Sequence, residues 1–96
     1  MKITKDQLDK MLLDHKEWLD SGGVSGKRFE FHGDLVGVDL SGYDLSYADL
    51  SESDLNWADL SGSDLSESDL SGADLRGATL DKEELAKAIT DKYTAF

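Results

Sequence analysis

Nine aspartates recur at every fifth position between residues 34 and 74. Carboxylates at a fixed spacing could act as acid–base pairs, bind hard cations such as calcium, or imitate a row of phosphates. Acid–base catalysis needs two carboxylates whose environments push their pKa values apart, and a row of equivalent aspartates offers no such asymmetry. The aspartate pattern therefore predicts a binding protein and not an enzyme.

Other chemistry has weaker support in this chain. The repeated serines show no nucleophile-elbow pattern, and there is no cysteine. His15 falls on the apolar face of a predicted helix and His32 lies in a predicted irregular coil, so both are expected to be packed or surface residues. The aspartates lack both the loop of an EF-hand and the glycine-aspartate repeat of calcium-binding β-rolls. No catalytic residue, dedicated metal site or cofactor is predicted.

Leucines follow the same period as the aspartates. A leucine occupies every fifth position from Leu35 to Leu80, and nine of these ten leucines directly follow an aspartate. A period of five fits neither the 3.6 residues of an α-helical turn nor the two-residue alternation of a strand. A strict repeat of this kind is typical of a solenoid, in which stacked units bury one continuous core.

The run DLSGYDLSYADLSESDL resembles the pentapeptide-repeat family, whose pattern is roughly A(D/N)LXX. The resemblance implies a right-handed, four-sided β-helix with one pentapeptide per side and four per coil. It also implies that each leucine and the small residue two positions before it point inward. Val38 and Tyr43 are larger than the family favours at the small position, and Phe31 precedes Leu35 by only four residues. An irregular first coil is therefore expected.

We interpret the chain as a single domain over residues 1–96. An N-terminal helix is predicted within residues 1–23, a flexible link and irregular first coil over 24–33, the β-helix over 34–80, and a C-terminal helix over 81–96. Thr4 with Gln7, and Asp81 with Glu84, have the spacing of capping boxes. Both helices are expected to cover the open ends of the solenoid, since exposed β-edges invite association. The alternative for the C-terminal helix is that it mediates a dimer.

The net charge of −11 is concentrated in the repeats. Residues 34–80 carry nine Asp, two Glu and one Arg, a balance of −10. Ten repeats at four per coil would span roughly 12 Å at β-strand spacing. The density of about one charge per 1.2 Å is then of the same order as the one per 1.7 Å of duplex DNA. Such a rod would repel nucleic acid and could enter a cleft that neutralises phosphates.

With four repeats per coil, residues twenty apart should stack, so that the outward aspartates form ladders. Two aspartates in neighbouring coils would lie about 4.8 Å apart, the distance between adjacent strands. At this distance they repel by roughly 0.9 kcal/mol before salt screening, which predicts that the ladders do not help folding. Tyr47 and Trp57 occupy outward positions and are either interface anchors or packed against a terminal helix. The side chains predicted to contact a partner are Asp34, Asp39, Asp44, Asp49, Asp54, Asp59, Asp64, Asp69, Asp74, Glu52, Glu67, Tyr47 and Trp57.

The resemblance also bears on function, because some pentapeptide-repeat proteins are similar to duplex DNA in shape and charge and bind DNA gyrase. Small acidic phage proteins that block CRISPR surveillance complexes or restriction enzymes use the same mimicry. We therefore expect an acidic DNA mimic that inhibits a DNA-binding protein or nucleoprotein complex. The alternative is a non-enzymatic scaffold or interaction module. No signal peptide or membrane span is evident in the sequence, so a cytoplasmic location is expected.

Overall fold

A computed structural model describes residues 2–96. It contains two helices, α1 (Lys5–Asp20) and α2 (Lys82–Leu85), and the rest of the described chain consists of tight turns joined by single-residue parallel bridges. No longer strand forms in these residues, because the chain turns every five residues. No helix of the described part is long and apolar enough to cross a lipid bilayer.

Within the repeats, the parallel bridges join residues that are twenty apart, so each coil holds four pentapeptides and the repeats form a β-helix solenoid. Because each coil has four sides, the solenoid has four faces, which we number by their aspartate ladders. The ladders are Asp34/Asp54/Asp74 on face 1, Asp39/Asp59 on face 2, Asp44/Asp64 on face 3 and Asp49/Asp69 on face 4.

The leucines form the core as predicted. Every leucine from Leu35 to Leu70 in the repeat is at most 1% exposed, and the small residues from Ala48 to Ala73 in the partner position are at most 2% exposed. The inward serines are satisfied locally, because the hydroxyl of Ser63 donates to the carbonyl of Leu60 at 2.7 Å. Tyr43, which replaces a small residue, is 42% exposed and lies outside this core.

Helix α1 begins with the predicted capping box. The Thr4 hydroxyl accepts from the Gln7 amide, and the Gln7 side chain accepts from the Thr4 amide. Leu8 and Leu12 of α1 are buried in the same core cluster as the repeat leucines. Apolar side chains of α1 therefore form part of the solenoid core.

Short segments on either side of α1 continue the solenoid beneath the first coil. Lys2 bridges to Asp34 and Glu30 bridges to Asp49, which explains the irregular spacing around Phe31. Phe29 is 1% exposed and takes an inward position. The predicted flexible link is instead held against α1, since the Lys27 amide donates to the Asp14 carbonyl at 3.0 Å.

The predicted C-terminal helix over 81–96 is wrong in extent. Only Lys82–Leu85 is helical, and Asp81 makes no side-chain cap. The following residues pair with the last coil, with bridges from Asp69 to Ile89 and from Asp74 to Ala95. The physical reason is the open edge of the solenoid: its backbone groups need partners, and a helix would satisfy only its own.

Candidate interaction surface

Each ladder aspartate is held by the turn that follows it. One carboxylate oxygen of Asp59 accepts from the Ser61 amide at 2.9 Å and from the Ser61 hydroxyl at 2.5 Å. The other ladder aspartates accept the amide of the residue two positions later in the same way. These are Asx turns, in which a short polar side chain stabilises a tight turn.

The expectation that the acids do not help folding is therefore wrong. Hydrogen bonds from Ser41 hold the pKa of Asp39 below its usual value, and those from Ser66 do the same for Asp64. A carboxyl group with a lowered pKa stabilises the fold above the pKa of the unfolded chain, about 3.9, and loses this contribution as the pH falls through its folded pKa. The charges of Asp39 and Asp64 thus contribute to the stability of the fold.

Basic side chains partly neutralise face 1, and a histidine lies beside face 4. On face 1, Lys2 lies 3.7 Å from Asp34 and Arg76 lies 2.7 Å from Asp74. On face 4, His32 lies 3.7 Å from Asp49. The Arg76 guanidinium also holds the pKa of Asp74 well below its usual range.

Faces 2 and 3 have more distant basic neighbours: Lys5 lies near enough to Asp39, and Lys87 to Asp64, to help lower the pKa of each aspartate. Among residues 2–96, no basic side chain lies within 4.0 Å of the carboxylates of these two faces. The corner between the faces is built from small residues, and Gly62 stacks directly on Gly42, so that a Cβ on Gly62 would lie 3.9 Å from the Gly42 backbone. We call the resulting continuous patch the acidic surface; it consists of Asp39, Asp44, Asp59 and Asp64.

Two exposed aromatic side chains border the acidic surface from opposite corners of the solenoid. Trp57, at the corner of faces 1 and 2, is 74% exposed, and Tyr47, at the corner of faces 3 and 4, is 53% exposed. The Trp57 ring lies over Gly77 of the next coil, where an added Cβ would come within 2.7 Å of it. Because opposite corners separate the two rings, a flat partner could not contact both, whereas a cleft could.

Four predicted site residues other than aspartate share an unusual backbone conformation. Tyr47, Glu52, Trp57 and Glu67 have φ between 58° and 64°, in the left-handed region. Each lies at the third position of a turn that glycine fills in other repeats, and an L-residue there costs about 1–2 kcal/mol. Large side chains thus occupy positions at which glycine would make the fold more stable.

We expect replacement of Glu67 by glycine to raise the free energy of unfolding by about 0.5–1 kcal/mol, because the left-handed strain disappears while glycine loses more entropy on folding. Urea unfolding followed by circular dichroism measures the change. The matched control is Gly62→Ala at the equivalent turn position, where φ is 69°. The free energy of unfolding of this control should fall by about 1 kcal/mol. A destabilised Glu67→Gly variant would contradict the prediction and assign a packing role to the Glu67 side chain.

The structure does not gather the thirteen predicted residues on one surface. Glu52 lies at the corner of faces 4 and 1, diagonally opposite the corner that divides the acidic surface. The sequence reasoning also missed Asn56, whose amide donates to Asp74 at 2.8 Å and to the Arg76 carbonyl at 3.1 Å and so links two coils. The twenty-residue offset between Asn56 and Arg76 was the available signal for this contact.

Comparisons with known proteins agree with the repeat architecture. The family model "Pentapeptide repeats" matches residues 32–62 and 53–82, which together make up more than half of the chain. The chain is also similar to the crystal structure of alr5209, a pentapeptide repeat protein from Nostoc Pcc 7120, with 35% identity, a TM-score of 0.28, and coverage of 73% of this chain and 71% of that one. No match is found among curated proteins. On the repeats matched over residues 32–82, the chain belongs to the pentapeptide-repeat family.

Proposed function

We propose that this protein is a DNA mimic whose acidic surface binds and inhibits a DNA-binding protein or nucleoprotein complex. The observation that carries the proposal is the pair of adjacent ladders on faces 2 and 3, which hold Asp39, Asp44, Asp59 and Asp64 with no basic side chain among the described residues within 4.0 Å. Candidate targets are a CRISPR surveillance complex, a restriction enzyme or DNA gyrase. Proteins of this family are generally non-enzymatic interaction modules, which supports a binding role.

Rigidity favours this use of the charges. A surface that imitates phosphates must present its charges without a large loss of side-chain entropy on binding. One oxygen of Asp44 and of Asp64 is already held by the amide two residues later, at 3.0 and 2.9 Å. The other oxygen then remains available to lysine or arginine side chains of a partner.

The first test is capture of partners from a nuclease-treated bacterial lysate on the immobilised protein, with and without excess duplex DNA. A nucleic-acid-binding protein that DNA displaces, and whose binding weakens steeply with salt, would support mimicry. A partner that DNA leaves in place would instead favour the alternative, a scaffold or interaction module with an acidic surface.

We expect that changing the four aspartates of the acidic surface to asparagine will weaken binding to a DNA-displaced partner at least about tenfold and reduce its salt dependence. Asparagine keeps the side-chain oxygen that accepts from the turn, so the coils should stay folded while four charges are lost. The family pattern itself accepts asparagine at this position. Circular dichroism checks the fold, and titrations at several salt concentrations measure the affinity.

A matched control removes four charges from the other faces, by changing Asp34, Asp54, Asp69 and Asp74 to asparagine. This variant has the same net charge as the variant of the acidic surface. It should bind the DNA-displaced partner much more tightly than that variant does. Equal losses in both variants would show that only the total charge matters, and would contradict a defined acidic surface.

A further inference from the structure

A second cluster of chemically active side chains lies outside the acidic surface, on face 4 beside the N-terminal segment. Glu30, His32 and Asp49 each offer one ligand atom, and the three atoms lie within 4.8 Å of one another. We propose that these three residues form a binding site for a divalent transition-metal ion, with zinc as the fitting example. The proposal does not depend on the proposed function.

The backbone brings the three residues together. The Asp49 amide donates to the Phe29 carbonyl at 2.8 Å, and the Phe31 amide donates to the Asp49 carbonyl at 3.0 Å. Because Phe29 is buried in the core, strand alternation directs Glu30 and His32 outward on the same side as Asp49. Two neighbouring segments thus present three ligands on one face.

The orientation of His32 supports metal binding. Its Nδ1 lies 2.8 Å from the Ser51 carbonyl, and since a carbonyl can only accept, Nδ1 carries the proton and donates. In the neutral ring the lone pair is then on Nε2, which faces Asp49 Oδ2 at 3.7 Å. A histidine whose second nitrogen donates to a carbonyl is the usual arrangement for a metal ligand.

Both carboxylates are held in a similar way. Asp49 Oδ1 accepts from the Ser51 amide at 3.1 Å and from its hydroxyl at 2.6 Å, which leaves Oδ2 directed toward His32. Glu30 Oε1 accepts from Arg28 at 2.9 Å, and its other oxygen remains available. Each ligand is therefore positioned by a neighbouring group that does not itself ligate.

The mixed nitrogen and oxygen ligands suit zinc better than calcium. Ligand atoms of a tetrahedral zinc ion with bonds near 2.1 Å lie about 3.4 Å apart, close to the 3.7 Å between Nε2 and Oδ2. Imidazole nitrogen is a common ligand of zinc, whereas calcium takes six to eight oxygens. Three protein ligands leave a further coordination position for water or another donor.

The test is zinc titration of the metal-free protein at neutral pH, by calorimetry and by competition with a chromophoric chelator. One zinc ion per chain should bind, and His32→Ala should weaken binding at least about tenfold. In nuclear magnetic resonance spectra, zinc should shift the Nε2 signal of His32. An excess of calcium should not displace the zinc.

Two aspartate variants separate a defined site from loose attraction to the ladders. Asp49→Asn and Asp59→Asn each remove one charge from an aspartate with equivalent turn hydrogen bonds. We expect only Asp49→Asn to weaken zinc binding about tenfold or more. Equal zinc affinity in the wild type, His32→Ala and both aspartate variants would overturn the proposal.

Discussion

Replacing Leu55 by alanine is expected to lower the free energy of unfolding by about 3–5 kcal/mol. Leu55 is 0% exposed and lies in the middle coil, with Leu35 and Leu75 stacked on either side. Its amide also donates to the Asp74 carbonyl of the next coil at 2.8 Å, and the preceding Asp54 amide donates to the Gly33 carbonyl of the previous coil at 2.8 Å. The cavity left by the substitution can therefore collapse little, and the cost should lie at the upper end of the range for leucine.

The control for Leu55→Ala is the same substitution at Leu80, which is only partly buried at the end of the repeats. The free energy of unfolding of this variant should fall by about 1–2 kcal/mol, because folding buries less apolar surface at Leu80 than at Leu55. Urea unfolding followed by circular dichroism measures both variants. Equal losses at the two positions would contradict the view that stacking on both sides determines the cost.

Replacing His15 by alanine should lower the free energy of unfolding by about 2–4 kcal/mol. His15 is 1% exposed and joins α1 to two parts of the solenoid. Its Nδ1 accepts from the Phe29 amide at 2.9 Å, and its Nε2 donates to the Ser46 carbonyl at 3.1 Å. Alanine would leave a buried amide without a partner and would remove the ring that stacks on Trp18.

The same contacts predict a dependence on pH. Because Nδ1 accepts a hydrogen bond, the folded state holds His15 neutral, and burial lowers the pKa of its imidazole. The unfolded chain takes up a proton near pH 6.5 while the folded state resists it, so stability falls as the pH drops below about 6.5 toward the folded pKa.

Unfolding curves between pH 7 and pH 5 test this dependence. The wild type should lose stability over this interval, and His15→Ala should show a flatter profile. His32→Ala is the control, because it removes an exposed imidazole instead of the buried one. A wild-type profile as flat as that of His15→Ala would contradict a buried neutral histidine.

Much of the fold could be predicted from the sequence, because a strict repeat gives every position the same local environment. The inward leucines, the twenty-residue stacking of the aspartates and the capping box of Thr4 and Gln7 are all confirmed. The prediction of a C-terminal helix over 81–96 was wrong because this segment lies outside the repeat. Its apolar spacing was a local signal, and the unpaired edge of the last coil, with bridges to Ile89 and Ala95, outweighed it.

The candidate sites were less predictable. Nothing in the sequence showed that Lys2 and Arg76 lie beside the face 1 ladder, whereas among residues 2–96 no basic side chain lies within 4.0 Å of the aspartates of faces 2 and 3. Likewise, no pattern in the sequence placed His32 against Asp49, and both histidines were expected to be packed or surface residues. Partner binding by the thirteen predicted residues stays a prediction.

The sequence by itself determined which side chains point inward and which carboxylates point outward, because a five-residue period in a solenoid assigns both by position alone. Only the tertiary structure decided which carboxylates are neutralised and which ligands meet at Glu30. The physical reason is that these contacts involve the N-terminal segment and single exceptions to the repeat. Their distances in space follow from how the chain enters the first coil, which no periodic pattern encodes.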